Sequence, residues 1–372
     1  MDKLLTILAI SALFFGPCGL KAQELSEPER LFETLWKTYD SRYAIFLPKR
    51  VDWNVLYRVY RPKVTPRATD DELFEIMSNM LGHLNDNHVR LMTADRKKVF
   101  SAGILNRIYA EQFKSSDEVS RFMRERPVGE GRVKGGYQTR LNGRFAFGRV
   151  ADGIGYFHFS GFGDVGGSGK VVDEIVAAFK DAKAVIVDVR RNGGGDDRVG
   201  KAIADRFADE KRLYMITQVR DGEEYDDFSQ TKYWYVEPGG PAQFTKPVVL
   251  LTDRTSISAA ENFALAMRVL PHATIVGDFT SGCFADVYGD TLPNGWRFSV
   301  SYKLFVDQDG FCWEGIGVPP DLMVVNSKED LAKGKDRVLD FAVDLINTGA
   351  LKPRPKTYTY PLEERRRSWP RD

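Results

Sequence analysis

Residues 248–263 read Val248-Val249-Leu250-Leu251-Thr252-Asp253-Arg254-Thr255-Ser256-Ile257-Ser258-Ala259-Ala260-Glu261-Asn262-Phe263. The run from Val248 to Leu251 is apolar and β-branched enough for a core strand, and Phe263, Met267 and Leu270 then recur at helical spacing. The stretch is therefore a buried strand, a tight turn and the start of a helix, with serines at the turn. At such a start, unpaired backbone N–H groups and the helix dipole favour negative charge, which an acyl-transfer transition state develops on its oxygen. Ser256 or Ser258 could equally cap the helix and do no chemistry. The rest of the chain has to decide.

Outward from this segment the pattern is α/β. Ile154 to Phe159 reads as a strand, Val171 to Phe179 as an amphipathic helix, and Ala184 to Val189 as a buried strand ending in Arg190-Arg191-Asn192-Gly193-Gly194-Gly195. A helix from Val199 to Phe207, the strand at Val248, the helix after Ser258 and a strand from Ala273 to Val276 follow. Trp296, Phe298, Val300, Tyr302 and Leu304 alternate as one half-buried strand, and a last helix is expected from Lys328 to Ile346. These elements define a core over residues 151–350. Upstream, residues 23–95 read as a helical subdomain with two capping boxes, Ser26 with Glu29 and Thr69 with Glu72. Residues 96–150 are a mixed connecting segment, and 351–372 form a loosely ordered tail.

The balance of 53 basic against 52 acidic residues leaves no global field to attract nucleic acid or anionic lipid. Lys3, the apolar run Leu4 to Phe15, and Ala22 before Gln23 have the order of a signal peptide over residues 1–22. That implies an exported chain, periplasmic or secreted, with lipid attachment at Cys18 as the lesser alternative. No other segment has the length and apolarity of a membrane span.

Gly193-Gly194-Gly195 lies between a strand and a helix, so its backbone can approach a ligand, but phosphate-loop spacings are absent. His83, His158 and His272 sit in packing or turn contexts. His88 follows an amphipathic helix on the polar loop Asn85-Asp86-Asn87, where a rigid scaffold can present it. No two histidines have metal-ligand spacing. Glu314, beside Trp313 and Gly315, is a turn residue or an acceptor that orients an imidazole.

Taken together, Leu84-Asn85-Asp86-Asn87-His88, Asp188 to Gly195, Ser256 to Glu261, Gly282 with Asp286, and Glu314 to Asp321 resemble the tail-specific, or C-terminal processing, serine peptidases. The resemblance covers roughly residues 70 to 325 and implies a helical N-terminal part followed by a crotonase-like spiral of ββα units. The processing branch of that family uses a lysine 25 residues after the nucleophile. Counting from Ser258 reaches Cys283, so a serine–lysine pair survives only if Lys303 or another lysine reaches the site. The branch exemplified by the tricorn protease core uses serine, histidine and glutamate, which His88 and Glu314 supply; its serine before the histidine is Asn87 here. The PDZ module common in the family has no room or pattern between His88 and Ile154.

The resemblance thus implies an exported serine peptidase acting on peptides or unfolded chain ends. Ser258 is its nucleophile, His88 its base and Glu314 the support of the imidazolium, with the N–H groups of Gly194 and Ala259 as oxyanion hole. No metal or organic cofactor is expected. Cys283 and Cys312 are expected to approach the same cleft, where they could form a disulfide. The rival reading is an inactive binding module for hydrophobic ligands or peptides on the same fold.

Overall fold

The computed structural model describes residues 24–103 and 133–351, apart from positions 230, 328, 331, 332 and 334. The expected signal peptide, Cys18 and most of the C-terminal tail lie outside these residues.

Helices α1 (Glu27–Arg42), α2 (Phe46–Lys49), α3 (Trp53–Tyr60) and α4 (Asp70–Gly82) come first. Both capping boxes form: the N–H of Ser26 donates to Glu29 Oε2 at 2.9 Å, and that of Thr69 to Glu72 Oε2 at 2.8 Å. Their apolar stripes do not close on one another alone. Leu35, Tyr39, Trp53, Met77 and Leu81 share a core with Leu91, Phe298 and Val300 from an antiparallel sheet of order β11-β12-β1-β2. Its strands are β1 (Arg90–Met92), β2 (Val99–Ser101), β11 (Val287–Thr291) and β12 (Arg297–Ser301). The N-terminal helices are therefore completed by chain from near residue 300.

The central sheet has seven strands in the order β14-β10-β9-β6-β5-β4-β3. These are β3 (Lys134–Arg140), β4 (Phe145–Ala151), β5 (Ile154–Phe159), β6 (Ala184–Asp188), β9 (Val248–Thr252), β10 (Ala273–Gly277) and β14 (Leu322–Met323). From β5 to β14 the strands run parallel, and β3 and β4 add antiparallel pairs at one edge. Side chains alternate across a pleated strand. Val185, Val187, Val248 and Leu250 accordingly pack with helices α5 (Val165–Ala178), α6 (Asp197–Ala204) and α7 (Ala259–Arg268). Ala184, Ile186, Val249 and Leu251 face the other way, onto Val338, Leu339 and Ala342 of α8 (Arg337–Asn347). A third sheet, β13-β7-β8, joins β7 (Arg212–Val219), β8 (Lys232–Val236) and β13 (Lys303–Asp307).

The α/β core and helical N-terminal part agree with expectation, but three details differ. The boundary set at residue 150 falls in the β4–β5 hairpin, because β3 and β4 belong to the central sheet. The strand read through Trp296 to Leu304 is two strands in different sheets, with Tyr302 between them. Alternation persists through that crossing because Trp296, Phe298, Val300 and Leu304 all turn into the N-terminal core. The last helix runs regularly only from Arg337, where Asp336 caps it by accepting from the N–H of Leu339 at 3.2 Å. Asp336 also binds the guanidinium of Arg190, Nη1 to Oδ1 at 2.8 Å, while Arg190 Nε donates to Asp188 Oδ1 at 2.9 Å. This buried bridge ties α8 to the end of β6, immediately before the glycine loop.

Candidate active site

Ser258 ends the turn after β9 and is the N-cap of α7, with φ 58° and ψ −121°. A positive φ is strained for a residue with a side chain, and such strain persists only where surroundings impose it. Here they do. The Ser258 N–H donates to Cys283 O at 3.0 Å and lies 3.1 Å from Glu261 Oε2, and the Ile257 N–H donates to Asn192 O at 3.0 Å. Ser256 is different: it is fully buried, and its Oγ donates to Val189 O at 2.8 Å and accepts from the N–H of Asp253 at 3.2 Å. Its hydroxyl is a structural pin between the ends of β6 and β9, whereas Ser258 is only partly buried.

The glycine loop lies directly against this turn. Gly194 has φ 87°, and a Cβ on it would stand 2.7 Å from Ile257 O and 2.8 Å from the Ser258 Cβ. Only glycine allows that approach. Asn192, also fully buried, holds the loop by donating Nδ2 to Phe159 O at 2.8 Å and accepting the Gly194 N–H on Oδ1 at 2.9 Å. The Gly194 N–H, expected as one donor of the oxyanion hole, already has an acceptor two residues away. Use by an oxyanion requires that this bond be shared or released.

Glu261 is buried on the first turn of α7 and takes four hydrogen bonds beyond its own element or from its cap. Oε1 accepts from Thr280 Oγ1 at 2.7 Å and the Gly282 N–H at 2.6 Å; Oε2 accepts from the N–H groups of Cys283 at 2.7 Å and Ser258 at 3.1 Å. Burial pushes its pKa up to about 7 against these donors, which favour the anion. One carboxylate thus braces the serine turn and the Thr280–Cys283 loop together. The sequence signal was the Ser-x-x-Glu spacing of a capping box, which gives no hint of the distant partners.

His88 and Glu314 come together. One nitrogen of the His88 ring, one oxygen of Glu314 and one of Asp86 lie within 4.8 Å of one another. Glu314 is only 5% exposed; its Oε2 accepts from the N–H groups of Phe284 at 2.8 Å and Ala285 at 3.0 Å, while Oε1 is buried without a hydrogen-bond partner. His88 Nδ1 is likewise buried and unpartnered. Burial holds the imidazole below its usual range, and burial with the neighbouring Asp86 carboxylate raises Glu314 well above its own. Asp86, missed by the sequence reading, receives the His88 N–H on Oδ1 at 2.8 Å and the Tyr43 hydroxyl on Oδ2 at 3.0 Å. Asn87 points elsewhere, donating Nδ2 to Ser281 O at 3.1 Å.

Lys303 Nζ is paired with Asp286 Oδ2 at 2.8 Å. The disulfide that Cys283 and Cys312 could have formed is not made, and both are free thiols. Cys312 packs with the N-terminal core, while Cys283 is tied by its N–H to Glu261. Burial, with Glu314 close by, raises both thiols, Cys312 to about 12, so neither offers a ready thiolate. Another acid, Asp197 at the start of α6, accepts from Asn262 Nδ2 at 2.8 Å and is pushed up to about 6 by burial.

The chain matches the Peptidase family S41 domain over residues 153–324 and the tricorn protease C1 domain over residues 26–82. It is similar to a solved structure from Parabacteroides merdae ATCC 43184 assigned as a peptidase: 31% identity, TM-score 0.72, covering 86% of this chain and 97% of that one. It is 25% identical over 202 residues to a carboxy-terminal-processing protease of Bartonella bacilliformis, covering 51% of this chain and 43% of the relative. It is also 25% identical over 216 residues to the tricorn protease of Thermoplasma acidophilum, covering 56% of this chain and 18% of the relative. The matches thus span less than half the length of these two curated relatives. Among the described residues, no helix is long and apolar enough to cross a membrane. With its glycine loop, strained serine turn and tricorn-type N-terminal helices, the chain belongs to peptidase family S41, the tail-specific serine peptidases, on the tricorn-like side.

Proposed function

We propose that the chain is an exported serine peptidase that cleaves peptides or unfolded chain ends, with Ser258 as nucleophile and His88 as base. Ser258 Oγ attacks the scissile carbonyl while the imidazole takes its proton and later delivers it to the leaving amine. Glu314, through its unpartnered Oε1, orients the ring and stabilises the imidazolium. The oxyanion develops toward the Ala259 N–H at the start of α7, with Gly194 as second donor once its bond to Asn192 loosens.

The observation that carries this reading is the strained Ser258 turn pressed onto Gly194, joined by two buried, partnerless atoms on His88 and Glu314. Unpaired buried polar atoms cost about 1–3 kcal/mol each. A site retains them where a reaction needs them. Lys303, ion-paired with Asp286, is a poorer base than the histidine.

The test is labelling by an active-site fluorophosphonate followed by a peptide-cleavage assay. Wild type should label at one serine, Ser258→Ala should not label, and His88→Ala should label at least a hundredfold more slowly. A protein that resists the probe is the binding module of the rival reading. Labelling lost in Ser256→Ala but kept in Ser258→Ala would reassign the nucleophile.

A further inference from the structure

The cluster of Asp86, His88 and Glu314 holds more carboxyl groups than orienting an imidazole needs. Asp86 is fully buried and Glu314 nearly so, and their oxygens share a small space with the His88 ring. Lys49 is the cation that most offsets Glu314, but its Nζ donates to Asn85 O at 2.8 Å. Glu314 Oε1 and His88 Nδ1 are left without partners. An imidazole nitrogen and two carboxylates are a nitrogen–oxygen donor set that suits zinc better than magnesium or calcium, which prefer oxygen alone.

We propose that Asp86, His88 and Glu314 form a binding site for a transition-metal dication, Zn²⁺ foremost, and that its occupation switches the peptidase off by removing His88 from proton transfer. Ligand atoms about 2.0–2.2 Å from one tetrahedral ion stand roughly 3.5 Å apart. The present spread, at most 4.8 Å, therefore has to close by no more than about 1.3 Å. The free arm of Glu314 can supply that movement, because only its Oε2 is anchored, by the Phe284 and Ala285 amides. The supporting shell is already built: the Tyr43 hydroxyl and the His88 N–H hold Asp86, and those two amides hold Glu314, as outer partners orient metal ligands. Three protein ligands leave a fourth position for water. The ion sits on the base and the residue that orients it, so the imidazole lone pair is no longer available to Ser258. The binding half stands on these residues alone, and the inhibitory half rests on His88 acting as the base.

The experiment separates the two. Isothermal titration of Zn²⁺ into the full-length Ser258→Ala protein, stripped with chelator, should give one site with micromolar or tighter affinity and a raised melting temperature. Adding Glu314→Gln or Asp86→Asn to that background should weaken binding at least tenfold, with folding checked by circular dichroism, while Mg²⁺ should give no heat at the same concentration. In wild type, Zn²⁺ should reduce peptide cleavage more than tenfold with a matching midpoint, reversed by EDTA. No binding to Ser258→Ala overturns the site. So does affinity unchanged by both carboxylate variants, or affinity lost instead in Cys312→Ser, which would place the ion on thiols. Cleavage that rises with Zn²⁺ overturns the inhibition. Binding as expected in a wild type that cleaves nothing even in chelator upholds the site while removing the peptidase reading.

Discussion

A Cβ on Gly194 would lie 2.8 Å from the Ser258 Cβ, so the glycine loop and the serine turn are a single packed unit rather than two neighbouring motifs. Gly194→Ala therefore meets two penalties, a positive φ of 87° and a clash that only backbone movement relieves. The expected outcome is a stability loss of about 1–3 kcal/mol. A shift of the turn by even about an ångström should lower kcat on the order of a hundredfold. Thermal melts and steady-state cleavage measure the two effects separately.

The two serines of the turn should part company under mutation. Ser258→Ala should keep its melting temperature and lose at least about a thousandfold in turnover, since the members of such a site act as a unit. Ser256→Ala should keep most turnover but lose about 1–3 kcal/mol, because the Asp253 N–H loses its acceptor and Val189 O is left with only the Asn192 N–H. The reverse pattern in paired melts and rate assays would contradict the assignment.

The periodic elements around this turn were legible in the sequence because their burial is one-sided or complete. Val185 and Ile186 read as one apolar run, and the structure splits them between two cores. The meeting of His88 with Glu314 was readable only through family resemblance, since nothing local links residues 226 apart. Asp86 and Glu261 escaped as site residues because nothing near either in the sequence points to a distant partner: one lies in a turn, the other on the first turn of a helix. Their roles depend on the loop from Thr280 to Ala285 and on Tyr43, which periodicity cannot bring to them. The free state of Cys283 and Cys312 was not readable either. It follows from where each thiol packs and not from their distance along the chain.

Burial disfavours the imidazolium of His88, so its pKa lies below the ordinary value of about 6.5. The base must be neutral to work. With metal chelated, kcat/KM should therefore be flat near neutrality and fall on acidification through an apparent pKa below about 6.5, with a slope of one proton. Asp86→Asn removes the neighbouring carboxylate that most favours the imidazolium, which should move that inflection further down. A profile that instead falls on acidification from pH 8, or that His88→Gln leaves unchanged, would remove the histidine from the mechanism.

Glu261→Gln tests whether the brace beneath the serine turn needs a carboxylate rather than any polar side chain of its shape. Four donors converge on Glu261: the hydroxyl of Thr280 and the N–H groups of Gly282, Cys283 and Ser258. A glutamine keeps one oxygen acceptor and turns the other into an NH₂ that faces N–H groups, so at least one buried donor loses its acceptor and meets another donor. Losing hydrogen bonds to a charged acceptor in a buried site should cost about 2–4 kcal/mol, more than a surface Glu→Gln change. The cost should not stop at stability. The Ser258 and Cys283 N–H groups share Oε2, so the turn that carries the proposed nucleophile and the loop whose next two amides hold Glu314 should loosen together. Turnover should fall by at least about tenfold, with probe labelling of Ser258 slowed in parallel. Glu261→Asp, which keeps the charge but shortens the reach, should recover part of the labelling rate and less of the melting temperature. Equal labelling rates for wild type and Glu261→Gln would mean that the carboxylate merely caps α7.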